Sequence, residues 1–194
     1  MLDSKKKFFV HDSSFVDENC RIGTNTKIWH FSHIMGGSYI GDNCNIGQNV
    51  VISPDVVIGN NVKIQNNVSV YTGVTCEDNV FLGPSVVFTN ILNPRSLISR
   101  KNEFRKTLLM EGASIGANAT IICGVTIGKF ALIGAGSVIT KDIKNYSLVY
   151  GNPGKNKGWV SEHGEKLEFD SNLHAQCKLS KDRYKLINDT VHKL

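Results

Sequence analysis

Little in this chain would stiffen its turns: four prolines stand against eighteen glycines and many asparagines, and only 8% of the residues are aromatic. A hydrophobic fraction of 41% over 194 residues still excludes a disordered segment and suits one domain with an appendage. No apolar run approaches the ~20 residues of a membrane span, and the N-terminus lacks the apolar core of a signal peptide. A cytoplasmic protein with no membrane span is the expectation. The five cysteines, Cys20, Cys44, Cys76, Cys123 and Cys177, contain no CxxC pair. Their odd number and spacing argue against a disulfide framework or a zinc site, and they read as reduced thiols. Dense basic runs are also missing, apart from Lys5-Lys6-Lys7, which reads as a solvated arm. The net charge of +5 therefore favours an anionic small ligand over a nucleic acid.

What the chain does have is a period of six. An apolar series runs from Val10 through Val16, Ile22, Ile28, Ile34, Ile40, Ile46, Ile52, Ile58, Ile64, Val70, Cys76 and Leu82 to Phe88. It resumes at Ile115, Ile121, Ile127, Ile133 and Ile139. Position 94 would have been next, so the break reads as an insertion of 21 residues, from 94 to Ile115. Two residues before the anchors stand short side chains such as Cys44, Val50, Val56, Val62, Val68, Val74, Val80 and Val86, expected to point inward. Glycine often follows the anchor, as at Gly23, Gly41, Gly47, Gly59, Gly83, Gly116, Gly128 and Gly134, where unrestricted φ would help a corner.

Six residues are too few for a helix-bearing repeat but fit a short strand and a turn, and three such units close one triangular coil. The expected fold is all-β, a parallel β-helix over residues 10–142 with a loop insertion at about 89–112. Residues 1–9 form an N-terminal arm and 143–194 a C-terminal extension of helical or extended pieces followed by strands. Asn25, Asn43, Asn61 and Asn79, spaced by 18, should stack at one corner in left-handed conformation, a structural ladder.

The hexads, with the segment IICGVTIGKFALIGAGSVITKDIKNYSLVYGNPGK at 121–155, resemble the left-handed β-helix acyltransferases. That resemblance implies a left-handed coil, against the usual right-handed crossover preference. The sequence departs from the pattern at Lys144, where proline is common, and at Gly154, where alanine is common.

The insertion is the place for chemistry, since an uninterrupted rod offers none. It carries Arg95, Arg100, Lys101, Arg105 and Lys106, a set able to meet phosphates, and no histidine. An imidazole base would have to come from the wall, where His30 and His33 stand in KIWHFSHIMGG. Spacing by 18 puts His30, Gln48, Asn66 and Pro84 in one corner column beside Trp29 and Gln65, a polar stripe suited to a base, ribose or sugar. The glycines and alanines of the last coils, Gly116, Ala117, Gly134, Ala135 and Gly136, would let a pantetheine arm approach the backbone. Lys155 and Lys157 are candidates for its phosphates.

The strings WHFSH, GQNV, KIQNNVSVY, GPSVVFTN, NPRS and the terminal GW, SE and GE pairs resemble the UDP-2-acetamido-3-amino-2,3-dideoxy-glucuronate N-acetyltransferases. They are similar, less closely, to the dTDP-3-amino-3,6-dideoxyhexose N-acetyltransferases. What the resemblance implies is a homotrimer that uses acetyl-CoA and no metal to acetylate a nucleotide-linked amino sugar for surface polysaccharide biosynthesis. It further implies Asn90 at the reacting centre, with His33 and His30 as fallback bases. His30, Gln65, Asn66, Tyr71, Arg95 and Arg100 fall to the acceptor, and Gly116, Ala117, Gly134, Ala135, Lys155 and Lys157 to the cofactor. The competing readings are an O-acetyltransferase or longer-chain acyltransferase, a carbonic anhydrase-like β-helix binding zinc through histidines, and a structural or regulatory binding module. His11, 19 residues before His30, falls one position out of stack, which argues against a three-histidine site.

Overall fold

The computed structural model describes residues 7–194, so Lys5 and Lys6 of the basic run, and most of the arm at 1–9, lie outside the described residues. The period of six becomes a left-handed parallel β-helix with three flat faces. The first face stacks Phe9–Val10, Lys27–Ile28, Asn45–Ile46, Lys63–Ile64, Phe81–Leu82, Ser114–Ile115, Leu132–Ile133 and Ser147–Tyr150 as parallel rungs. The second runs from Phe15–Val16 through His33–Ile34, Val51–Ile52, Ser69–Val70, Val87–Phe88 and Thr120–Ile121 to Val138–Ile139. The third holds Arg21–Ile22, Tyr39–Ile40, Val57–Ile58, Val74–Cys76, Thr107–Leu109 and Thr126–Ile127. Away from the insertion and the last rung, each rung pairs in register with the one 18 residues away, as in Lys63 with Phe81, whereas across the insertion Phe81 pairs with Ser114.

The alternation within each two-residue strand decides what is buried. The second residue is the anchor, and those from Ile28 to Ile64 are fully shielded from solvent, as are Cys44 and Val50 to Val86 two residues earlier. Burying each such isoleucine contributes about 1.5–3 kcal/mol. At the N-terminal end the anchors Val10, Val16 and Ile22 are only half-buried, since among the described residues no rung lies below them.

The asparagine ladder forms as its spacing requires. Asn25, Asn43, Asn61 and Asn79 all have positive φ, between 52° and 62°. Asn25 donates its amide to Asn43 at 3.3 Å and Asn61 to Asn79 at 2.8 Å. A second ladder runs at the corner between the first and second faces, where Asn49 donates to Asn67 at 3.0 Å.

The glycines after the anchors have a different reason from the one their frequency suggests. None of Gly23, Gly41, Gly47, Gly59, Gly83, Gly116, Gly128 and Gly134 has positive φ. They are required by stacking: a Cβ on Gly47 would stand 2.7 Å from Asn66 Oδ1, and one on Gly83 2.7 Å from the Ala117 nitrogen. Coils about 4.8 Å apart leave no room there for a side chain.

The bounds of the elements also shift. Thr107–Leu109 pairs in parallel with Val74–Cys76 below and Thr126–Ile127 above, so Leu109 is a fully buried anchor and the insertion closes before it, well short of residue 112. At the other end the helix does not stop at 142, since Ser147–Tyr150 adds one more parallel rung. The extension is strand throughout. Lys155–Val160 and Lys166–Leu167 turn antiparallel onto the first face, and His174–Gln176, Arg183–Ile187 and Thr190–Lys193 form a separate sheet. That sheet and the helix end share a second core of Tyr146, Trp159, Leu167, Ala175, Cys177, Tyr184 and Val191.

Candidate functional site

The inserted loop leaves the wall at the corner between the second and third faces. Its neck is closed by two threonines, each capping a backbone N–H of the next coil: Thr89 Oγ1 accepts from Cys123 at 2.9 Å and Thr107 Oγ1 from Gly124 at 3.2 Å. Asn90 is held by its carbonyl, which accepts from the Arg105 N–H at 3.0 Å, so the two ends of the loop are tied at this residue. The loop itself folds through tight turns, Ile98 N–H donating to Arg95 and Glu103 N–H to Arg100. Between them opens a cleft of about 500 Å³ lined by Ile91, Leu92, Asn93, Glu103 and Arg105.

The charges of this cleft do not cancel. Arg100 Nη1 lies 2.9 Å from both carboxylate oxygens of Glu103, which satisfies the carboxylate inside the loop. Arg105 makes no ion pair among the described residues, and its stem lies over Gly124, where a Cβ would stand 3.2 Å from Cδ. The cleft thus keeps one uncompensated guanidinium on a braced stem, the arrangement that favours a bidentate anion. Arg95 is exposed in the outer part of the loop and bonds the Pro94 carbonyl, and Lys101 and Lys106 are solvent-exposed.

The expected site residues separate onto two edges of the prism. Tyr71 is one coil below Asn90 at the same corner, and Gly73, two residues on, takes the Thr107 N–H. His30, Gln65, Asn66, Gly116, Ala117, Gly134 and Ala135 all belong to the other edge, between the first and second faces. Asn66 Oδ1 accepts the Gln48 N–H at 2.9 Å, which commits that oxygen to the wall. Gly116 and Gly134 are needed for coil stacking, and Gly136 alone in that set has open space around it with φ of 68°. Lys155 and Lys157 are exposed on the strand Lys155–Val160, the latter with its ammonium 5.6 Å from the Tyr150 ring centre.

The histidines lie away from Asn90 on one chain. His33 is on the second rung of its face and Asn90 follows the fifth, so three coil steps, about 14 Å, separate them along the axis. His33 Nε2 lies 2.7 Å from Asp17 Oδ1. A carboxylate only accepts, so the proton between them is on the imidazole, and that hydrogen bond holds the Asp17 carboxyl below its usual range. His11 stays one position out of register with His30, since Val10 pairs with Ile28, yet its ring stacks on that of His30, centroids 3.5 Å apart. His11 Nδ1 accepts from the Ser13 N–H. Among the described residues no three His, Cys, Asp or Glu side chains gather to hold a metal ion. No helix is long and apolar enough to cross a membrane, and all five cysteines are free thiols.

Two residues escaped the sequence reading. Arg105 is one of five loop cations that the sequence does not distinguish, since Lys106 stands equally close to the point where the register resumes. Phe31 occupies a corner position otherwise given to asparagine, serine or glycine, a signal visible once residues 31, 49, 67, 85, 118 and 136 are aligned.

Comparison with known proteins agrees with this architecture. The family description "Bacterial transferase hexapeptide (six repeats)" matches residues 19–54 and 106–141, and "Hexapeptide repeat of succinyl-transferase" matches 39–72. The dTDP-3-amino-3,6-dideoxy-alpha-D-galactopyranose 3-N-acetyltransferase of Aneurinibacillus thermoaerophilus is 47% identical over 91 residues, 47% of this chain and 46% of that protein. The galactoside O-acetyltransferase of Lactococcus lactis subsp. lactis is 31% identical over 109 residues, 51% of this chain and 53% of that one. The chain spans about half the length of the curated relatives it matches. Among solved structures, a His-to-Ala variant of GDP-perosamine N-acetyl transferase from Caulobacter crescentus, in complex with CoA and GDP-perosamine, has TM-score 0.52 and 25% identity. It covers 77% of this chain and 55% of its own. A hexapeptide transferase family protein from Anaplasma phagocytophilum shares the fold at TM-score 0.56 and 20% identity, covering 81% of both chains. Sequence period, rung geometry and comparison agree that this chain is a left-handed β-helix of hexapeptide repeats, similar to those of bacterial hexapeptide transferases.

Proposed function

We propose that this chain is an acetyl-CoA-dependent N-acetyltransferase acting on the amino group of a nucleotide-linked amino sugar, working in the cytoplasm on a precursor of surface polysaccharide. The observation that carries the reading is the loop cleft: Asn90 tied into its mouth, one uncompensated cation at Arg105, and no histidine in the loop. The Aneurinibacillus relative, named as a 3-N-acetyltransferase of a dTDP-linked 3-amino sugar, supports the same reaction class.

An unprotonated amine attacks a thioester carbonyl without prior deprotonation, whereas an alcohol needs a base. The new C–N bond forms as the C–S bond breaks, and the ammonium proton passes to the departing thiolate, leaving an acetamide and free CoA. Asn90 would orient the amine through its side-chain carbonyl and stabilise developing charge through its amide. Fully buried Cys44 and Cys76 have thiols pushed up by desolvation, Cys76 to about 12, so neither is an acyl carrier.

The acceptor is either a dTDP-3-amino-3,6-dideoxyhexose, supported by the relative's activity, or UDP-2-acetamido-3-amino-2,3-dideoxy-glucuronate, whose carboxylate would pair with Arg105. Asn90 and the cationic loop lie on one edge of the second face, and His30, Gln65, Asn66 and the glycines and alanines assigned to the cofactor lie on the other. Three copies around an axis would bring one copy's Asn90 edge to its neighbour's glycine-rich edge, which is the ground for proposing a homotrimer.

The test is consumption of acetyl-CoA with each of the two acceptors. Turnover of either supports the reading, and none with any nucleotide-linked amino sugar overturns it. Asn90→Ala should lower kcat at least a hundredfold while the thermal transition stays in place, and His33→Ala far less. The opposite ranking would restore a histidine base.

A further inference from the structure

Phe31 sits in a backbone conformation that no packing among the described residues explains. Its φ is 58°, inside the left-handed region that a bulky aromatic residue rarely enters. The equivalent positions in the same column are Asn49, Asn67, Ser85, Asn118 and Gly136, all smaller residues and, but for Ser85, of the types that adopt this conformation most readily. Phe31 is 62% exposed, so burial does not offset the strain. Its ring instead leans toward His30, centroids 6.0 Å apart at 52°, and His30 is already stacked on His11 at 3.5 Å. The result is an open notch with a phenyl wall and an imidazole wall at the second coil.

Polar groups border this notch. Gln48 is one rung above His30 with an exposed side chain that makes no hydrogen bond among the described residues. Lys27 is exposed on the adjoining first face of the same coil and Lys63 is exposed two rungs above it, about 10 Å up the axis, and neither joins an ion pair among the described residues. A flat ring surface, an amide able to read a ring edge and two uncompensated cations match one ligand class: a planar base carrying phosphate.

We propose that Phe31, with the His11–His30 stack, seats the nucleobase of the acceptor, the base lying on the phenyl face with its edge toward Gln48. This rests on the nucleotide-linked acceptor proposed above. An exposed phenylalanine in left-handed backbone is then retained for binding at a cost in stability, which separates it from a folding residue.

The experiment is equilibrium titration of the full chain with UDP, dTDP and inorganic pyrophosphate, followed by Trp29 and Trp159 fluorescence or calorimetry, on the wild type, Phe31→Asn and Phe31→Tyr. Phe31→Asn should bind UDP or dTDP at least tenfold more weakly, the size of a lost base–aromatic stack. Pyrophosphate binding should change less than twofold, and Phe31→Tyr should restore the nucleotide affinity. The melting temperature of Phe31→Asn should hold or rise by about 2–4 °C. Unchanged nucleotide affinity in Phe31→Asn would overturn the proposal, and so would a fall in melting temperature with dissociation of an oligomer, which would assign Phe31 to a contact between copies. If the wild type binds CoA but neither nucleotide, it is the acceptor reading that fails, and the seat fails with it.

Discussion

Two phenylalanines occupy the same left-handed position of the hexad, at different corners and toward opposite ends of the solenoid, Phe31 with φ of 58° and Phe130 with φ of 54°. Phe130 belongs to the column of the asparagine ladder, and its ring fills the space above Gly112, which has φ of 70° and no side chain to obstruct it. It stacks on Tyr146 at 5.5 Å, and Tyr146 meets Tyr184 edge-on at 5.7 Å. Through these rings the helix end is joined to the C-terminal sheet. Among the described residues Phe31 has no comparable partner. The same strained backbone is thus compensated by packing at one end and left uncompensated at the other, and the difference marks the exposed one as a residue kept for something outside the fold.

The heaviest blow to this contrast is Gly112→Val. It places a branched side chain against the Phe130 ring in a backbone unsuited to it, and should cost about 3 kcal/mol or more. Urea denaturation followed by Trp159 fluorescence would measure it, and a change below about 1 kcal/mol would show that Phe130 is not held by that glycine. Phe130→Ala removes the ring alone and should cost about 2–3 kcal/mol, less than full burial would predict because the residue is only half-buried. Amide exchange should show the loss concentrated in residues 146–194, away from the first coils.

A pH series probes the same cap. Lys193 bonds Glu162 at 2.6 Å and Asp182 at 3.2 Å, and Ser180 donates to Asp182 as well. Hydrogen bonds from Ser180 and Lys193 hold the Asp182 carboxyl below its ordinary range, so its contribution is present above the unfolded carboxylate pKa and disappears as pH falls through the folded one. Lys193 is raised by Glu162 and Asp182, so its contribution is present below the ordinary lysine pKa and lost as pH rises through the higher folded value. Stability at the C-terminal end should therefore fall in acid and again in strong alkali. In Lys193→Met both slopes should flatten, and a wild-type slope surviving in the variant would place the titration elsewhere.

The smallest effect has the opposite sign. Phe31→Asn should stabilise by up to about 1 kcal/mol, since it gives a left-handed corner the residue that suits it. Chemical denaturation of both proteins decides this, and a clear destabilisation would mean that Phe31 packs against something in the folded protein and that the contrast with Phe130 is false.

Much of this fold could be read from the chain. The anchors named from Ile28 to Ile139 are all buried, and Asn25, Asn43, Asn61 and Asn79 adopt the left-handed conformation their spacing of 18 implies. The register was lost only at the insertion, where Leu109 was passed over. It has Thr107 two residues before it, as the pattern demands, but Met110 and Glu111 follow where glycine usually marks the corner. The glycines were located correctly but for the wrong physical reason, because a single chain read along its length does not show how closely the next coil lies above. In the site, Asn90 and the cationic loop were legible as positions. The pairing of Arg100 with Glu103, which leaves Arg105 as the cation of the cleft, was not.

The sequence by itself determined the coil, because burying one apolar residue in every six with a corner between them admits few other arrangements. Tertiary structure decided what the period does not encode: which loop charges neutralise each other, which glycines face a neighbouring backbone, and that His11 lies against His30. It also decided which of two equivalent phenylalanines is covered. Those outcomes depend on atoms brought within a few ångströms by stacking coils, and residues 18 apart along the chain become neighbours only once the coil closes.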